Sequence, residues 1–459
     1  MAIVTAGLNK DRTSSVEKCT GHSKRAGDQV SGGVFWLYMY FLVDFFLHLS
    51  QRISFYGQLR PTLLLVVAIS LVLYLQRHKL KGRAKDPVFQ AIFILLGYVV
   101  LSVPLVEFPG SVVKNNLPEF VKAIVFLFFT ALIVDSEKRI KIFLCIFIVC
   151  QVFRILEPLY LHITEGYWGD RTYIGEGDFA GRLAGAPSDV INPNGLGFII
   201  ATTVPFLHYM LFGRGKFASV LYLGLMPVLL YALILTMSRG AFLALLVVAW
   251  MVFKSSSHKL VLILVAVVIV IGGWSVMTPI QKDRYLSLIS SDTKGAKTTD
   301  GRIHLILHEF ELGFERPIVG HGLGTTPESK YHSWGRRQAS HNMYGELIIE
   351  LGLIGFVLFL RFIIAIYRRF RENQKRLLLL GDANPFLANL NKALLAVFWM
   401  YVVYSLNYYG LSQYYWYLLG GITIAFGRVM DKLGRNTDSL QADDHLQARV
   451  GLGWKVNRG

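Results

Sequence analysis

The sequence is poor in cysteine and in acidic residues. Its three cysteines among 459 residues are too few for a disulfide framework. Cys145 and Cys150 lie in one apolar run and Cys19 in a polar N-terminal stretch, none in a Cys/His cluster with zinc-ligand spacing. An HExxH helix, a P-loop and any Asp-x-Asp pair are also missing; the nearest approach is Glu176-Gly-Asp178. These absences point away from zinc-peptidase and nucleotide-hydrolase chemistry, and no cofactor or metal is implied. The first roughly thirty residues are polar and mixed in charge, unlike a cleavable signal peptide, whose apolar stretch starts sooner.

Thirty acidic residues against 47 Lys and Arg give a net charge of +17. A basic balance of this size fits nucleic-acid binding, but lysine and arginine also collect in the cytoplasmic loops of membrane proteins. Hydropathy decides between the two. The chain is 53% hydrophobic with a mean hydropathy of +0.46, too apolar for a soluble domain. The excess is arranged in unbroken runs such as VLYLGLMPVLLYALILTM (220–237) and LVLILVAVVIVIGGWSVM (260–277), each long enough to cross a bilayer as a helix. The fold class expected is an all-α polytopic membrane protein, with no nucleic-acid partner.

About twelve spans are expected, near 33–50, 61–76, 88–107, 121–134, 142–164, 195–212, 220–237, 241–253, 260–277, 343–367, 393–410 and 412–430. Basic loops alternate along the chain, among them RHKLKGRAK (77–85), GRGK (213–216) and RRFRENQKR (368–376). With an even number of spans both termini share that side, and the positive-inside rule makes it the cytoplasm. Residues 1–32 and 431–459 are then cytoplasmic tails around a membrane domain at 33–430, with outer loops at 165–194 and 278–341. The second loop is basic although it lies outside, which suggests an anionic ligand there. Part of it reads as a helix capped by Asp300 and ended by Pro317, followed by a turn, GHGLG (320–324), of the kind that can offer backbone N–H groups to phosphate.

The residues able to do chemistry gather on the outer side. Arg239 falls between two apolar runs, where an arginine snorkels, pairs or binds something. The loop 169–197 carries Arg171 and Arg182 and ends in Asn192-Pro193-Asn194, one asparagine of which can cap the next helix. In SHNMYGELIIELGLIG, residues Asn342, Glu346 and Glu350 share one helix face below His341. A histidine at the water boundary with a carboxylate within reach can act as a general base, and Glu346 is expected to orient it. Glu350, deeper, is expected in a buried ion pair, and Gly352 and Gly355 to allow close helix packing.

Arg239-x-x-x-Leu243, the outer loop with Arg182 and Asn194, the loop helix with Arg302, the GHGLG turn, and His341-Asn342 followed by Gly352-x-x-Gly355 occur in an order that resembles the O-antigen ligase and O-antigen polymerase superfamily. The resemblance covers roughly residues 160 to 360. Leu358 stands where the ligase pattern has Gly, Thr or Tyr, so ligase and polymerase both stay open. The resemblance implies a GT-C-like bacterial inner-membrane glycosyltransferase with a large, partly helical periplasmic loop. It implies metal-independent, inverting transfer of a glycan from undecaprenyl diphosphate to a sugar hydroxyl, on lipid A core for a ligase or on another glycan for a polymerase. His341, Arg239 and Arg302 would be catalytic. Arg182, Arg171, Asn194, Arg336, Arg337 and His321 would hold the diphosphate or substrate, supported by Asn342, Glu346 and Glu350. A competing expectation is a secondary transporter with Asp44, His48, Glu346 and Glu350 as a coupling-ion path; a scaffolding role for the tail 431–459 is a third.

Overall fold

The computed structural model describes residues 29–80, 82–175, 178–288, 296–380, 384–408 and 410–453; the side chains of 174, 175, 178, 296–303, 380 and 435–453 lie outside that description. The chain is a helical membrane protein. Among the described residues eight helices are long and apolar enough to cross a bilayer, or nine if the bent pair Pro61–Leu75 and Arg77–Lys85 is one span. The eight coincide with the expected spans from 88–107 through 220–237, and with those at 260–277, 343–367 and 393–410.

The other expected spans are helical but differ in length or polarity. Gly32–Leu47 has 16 residues and Arg239–Ser255 has 17, about 25 Å each at 1.5 Å per residue, just short of a typical hydrocarbon core. Tyr414–Gly453 runs as one helix through the expected boundary at 430. Pro87 and Pro193 stand at first helical turns, where proline's missing N–H costs nothing, behind the caps Asp86 and Asn192.

The interior is aromatic. Phe41, Phe45, Phe46, Phe126 and Tyr414 meet with ring centroids 4.7–6.2 Å apart in edge, tilted and stacked arrangements. Helix Lys259–Val276 buries no residue. Its apolar surface all round suits lipid rather than water.

Two features depart from expectation. The loop after Gly166, expected outside, is an antiparallel hairpin, Gly169–Gly175 with Asp178–Leu183, the one sheet among the described residues. The helix in the segment 278–341 is described over Ala296–Glu315, so Asp300 lies inside it rather than at its cap, and it ends ahead of Pro317.

Candidate active site

Helices Lys216–Thr236 and Arg239–Ser255 are joined by only two residues, Met237 and Ser238. Met237 takes a left-handed backbone, φ 49°, which reverses the chain sharply. Ser238 caps the second helix through Ala241 N–H at 3.3 Å. The reversal presents carbonyls at the negative end of a helix dipole, and arginines meet them. Arg182 Nε donates to Thr236 O and Arg284 Nε to Met237 O, each at 2.9 Å. Arg239, buried at the first turn of the second helix, donates to Ser287 Oγ at 2.8 Å. Burial pushes the Tyr285 phenol above its ordinary range, with Arg182 and Arg284 pulling the other way. Both guanidinium groups therefore act on one buried ring beside the junction.

The hairpin delivers Arg182, and the next helix fixes it. Asn192 caps helix Pro193–Leu211 by accepting from Gly195 N–H at 2.8 Å. Asn194, one residue into the helix, accepts from Arg182 Nη2 at 3.0 Å. Its carbonyl accepts from Tyr404 Oη at 2.7 Å. Below the hairpin, the buried Asp189 carboxylate takes both forks of Arg154, at 2.6 and 2.9 Å.

His341 is seated from two sides. Asn342 caps the helix beginning at Met343, accepting from Tyr344 N–H at 2.8 Å. Ser340 Oγ donates at 2.8 Å to Glu309, whose other oxygen holds Lys330 at 2.5 Å in a fully buried ion pair. From the other side, Met343 N–H donates to Ser405 O at 2.9 Å. Glu346 accepts from the N–H groups of Gly410 and Leu411 at 2.7 and 3.0 Å. The segment 404–411 thus contacts both halves of the site: the Arg182–Asn194 side through Tyr404, and the His341 side through Ser405, Gly410 and Leu411.

Farther down, the long helix is broken. Gly352 has φ 64° and ψ −171° within Met343–Leu380. The break frees carbonyls that the glycine turn satisfies: His321 N–H donates to Ile349 O at 2.7 Å and Gly322 N–H to Glu350 O at 3.0 Å. The Glu350 side chain accepts from Gly324 N–H at 2.7 Å and Thr326 Oγ at 2.8 Å. Gly320 and Gly352 are required here, because a Cβ on either would lie within 2.6 Å of backbone atoms across the contact.

Residues 224–360 match the family model described as O-antigen ligase. This segment is similar to the O-antigen ligase and polymerase superfamily. No curated protein matches the chain.

The ligase match covers Arg239, Arg284 and His341 and stops short of the hairpin and Asn194. Within and around it the structure sorts the sequence-derived residues. Arg182, Arg239 and Asn194 come together at the 236–238 junction. His341 has Gln338 Nε2 3.3 Å from its Nε2, and the helix behind it, through Met343 and Glu346, meets the 404–411 segment whose Tyr404 bonds Asn194. Arg171 is exposed on the hairpin, opposite Gly181. Arg336 and Arg337 are exposed on the extended approach to His341, Arg337 lying over the Tyr331 ring. The side chains of Arg302 and Asp178, and Glu176 altogether, lie outside the described residues.

Several expectations need correction. The N–H groups of His321, Gly322 and Gly324 are spent on the broken helix and on Glu350, so this turn does not offer them to phosphate. The His321 ring is buried, bonded through Nδ1 to Glu107 and through Nε2 to Leu312 O at 3.1 Å; it clips the loop rather than facing a ligand. The Glu346 carboxylate is turned to Gly410 and Leu411, not to His341. Glu350 sits in hydrogen bonds instead of an ion pair. Gly352 breaks the helix instead of packing within it, while Gly355 does approach Tyr98 closely. The three acids and one histidine proposed as an ion path lie against separate segments: Asp44 bonds Thr62, His48 lies 3.5 Å from Asp189, Glu346 bonds 410–411 and Glu350 bonds 324–326.

Arg284, Tyr404, Glu309 and Lys330 were not singled out from sequence. The aromatic loop YSLNYYG (404–410) carried a signal, since tyrosines crowd where one end of the ring is apolar and the other wet.

Proposed function

We propose that this chain is an inner-membrane glycosyltransferase that moves a glycan from undecaprenyl diphosphate to a sugar hydroxyl of lipid A core on the extracytoplasmic face. Twelve spans with both termini cytoplasmic would put the hairpin, the 236–238 junction and His341 on that face. The observation that most supports the reading is that Arg182 and Arg284 bind the consecutive carbonyls of Thr236 and Met237 while Arg239, two residues on, is bonded to Ser287, within the framework that also seats His341.

A diphosphate leaving group needs charge neutralisation more than a proton. Guanidinium forks match phosphate oxygens, and charge-assisted contacts contribute roughly 1.5–3 kcal/mol each. In this mechanism Arg239 and Arg182 bind the diphosphate, Arg302 and Arg284 add charge, and Arg171, Arg336 and Arg337 guide the anion in from the exposed rim. His341 takes the proton as the acceptor oxygen attacks the anomeric carbon. The bond from that carbon to the diphosphate oxygen breaks on the opposite side, and the lipid diphosphate leaves with the electron pair. The anomeric centre inverts.

Leu358, where the ligase pattern has a small residue or tyrosine, favours the polymerase as the second reading, with a glycan acceptor and the same donor. The glycan profile of a strain lacking the protein separates them. Bare core with accumulating lipid-linked polymer marks a ligase. One repeat unit on core marks a polymerase, and an unchanged profile overturns both.

A further inference from the structure

At the opposite end of the helices from His341 lies a cavity of about 570 Å³. Asp86, on its wall, is 12 residues before Tyr98, which bonds Leu351 O beside the helix break; that is about 18 Å at 1.5 Å per residue. Arg369, also on the wall, is 17 residues beyond Gly352, about 25 Å by the same measure. The cavity is therefore separate from the arginine cluster of the candidate active site.

Its walls are cationic and come from three parts of the chain. Lys79, Arg83 and Lys85 belong to the connection before helix Pro87–Ser102; Arg369 and Arg376 to the long helix; Arg428 and Lys432 to the last helix. Against these seven stand two carboxylates, Asp86 and Asp431. Adding Asp135 and Glu372, which pair with Arg83 and Arg369, still leaves seven cations to four carboxylates, an excess of three.

Local structure accounts for part of this. The last carbonyls of helix Leu117–Ile133 draw in Arg83 and Arg428, which donate to Leu132 O and Ala131 O at 2.5 and 2.7 Å. Topology accounts for lysines in a loop. Neither explains why cations from three separate elements, Arg369 among them only 9% exposed, line one concave space where they repel each other. The buried amide of Asn373, on the same face of the long helix between Arg369 and Arg376, has no hydrogen-bond partner. A multiply charged anion answers the excess charge, and the volume is within the range of small-molecule sites.

We propose that this cavity binds a phosphate-bearing anion, either a soluble phosphate compound or the headgroup of an anionic lipid. Arginine forks on the two helices and lysine points on the connecting loop suit phosphate oxygens. The test uses the purified full-length protein. Inorganic pyrophosphate is titrated against chloride at matched ionic strength, with the melting temperature as readout. In parallel, the protein in phosphatidylcholine nanodiscs with or without phosphatidylglycerol is assayed for retained phosphatidylglycerol by native mass spectrometry. The variants are Arg376→Gln and, because Arg376 also pairs with Asp431, the more exposed double Lys79→Gln/Lys85→Gln.

A pyrophosphate-dependent rise, weakened about tenfold or more in both variants, supports the proposal with a soluble ligand. Retained phosphatidylglycerol that both variants lose, with no response to pyrophosphate, supports it with a lipid ligand. No response to either probe, or responses the variants leave unchanged, overturns it.

Discussion

Arg182 Nη2 donates to Asn194 Oδ1 at 3.0 Å while its Nε donates to Thr236 O at 2.9 Å. One guanidinium thus ties the hairpin to the start of one helix and the end of another. Lysine keeps the charge but lacks the planar fork needed to hold both acceptors. Arg182→Lys is expected to lower transfer by one to two orders of magnitude with normal membrane insertion. Asn194→Ala, which removes one of the two bonds, should cost less. Transfer by purified protein from a lipid-linked donor ranks the two, and an Arg182→Lys enzyme at full rate would rule out the positioning role.

The buried pair Lys330–Glu309 sits one hydrogen bond away from Ser340. Removing one member of such a pair leaves an uncompensated buried charge and costs about 3–5 kcal/mol, whereas replacing both can be nearly neutral. Lys330→Met alone should therefore lower the melting temperature in detergent more than Lys330→Met with Glu309→Gln. The reverse order would show that the pair is not what holds the 339–342 segment.

Glu350 presents two oxygens to three donors, Gly324 N–H, Thr326 N–H and Thr326 Oγ. In Glu350→Gln one oxygen becomes an NH₂ group facing a donor. The expected loss is about 1–3 kcal/mol of stability, the cost of unsatisfied buried polar groups. Gly352→Ala should do more damage, because its φ is +64° and the new Cβ would lie 2.4 Å from Ile318 O. Thermal unfolding of both variants in one detergent checks the order.

How much of this could be read from the chain depends on the range of each interaction. The spans at 220–237 and 260–277 were legible because a helix satisfies its own backbone, so composition over eighteen residues suffices. A capping asparagine in Asn192-Pro193-Asn194 was legible for the same local reason, and the structure makes it Asn192. The hairpin was not, since its strands hold three glycines at 169, 175 and 181 and lack a clean alternation. Glu346 was placed on the right helix but given the wrong partner, because its true partner, Gly410, is 64 positions away. Gly352 reads as a packing residue until the upstream turn that caps its broken helix is known. Arg239 stood out for its surroundings in sequence, whereas Arg284, in a polar stretch, looked like any loop cation.

His341 stands at the head of the long helix, where the capping falls to Asn342 and the bonds to Gly410 and Leu411 fall to Glu346. Removing the ring should therefore leave the framework standing. His341→Ala is expected to abolish transfer while its melting temperature stays within a degree or two of the parent. Arg239→Ala should also abolish transfer, but with a lower melting temperature, because Arg239 is buried and bonded to Ser287. The discriminating measurement pairs the transfer rate with thermal unfolding for each variant. A His341→Ala protein that still transfers glycan would remove the proposed base, and one that unfolds early would make the histidine a structural residue.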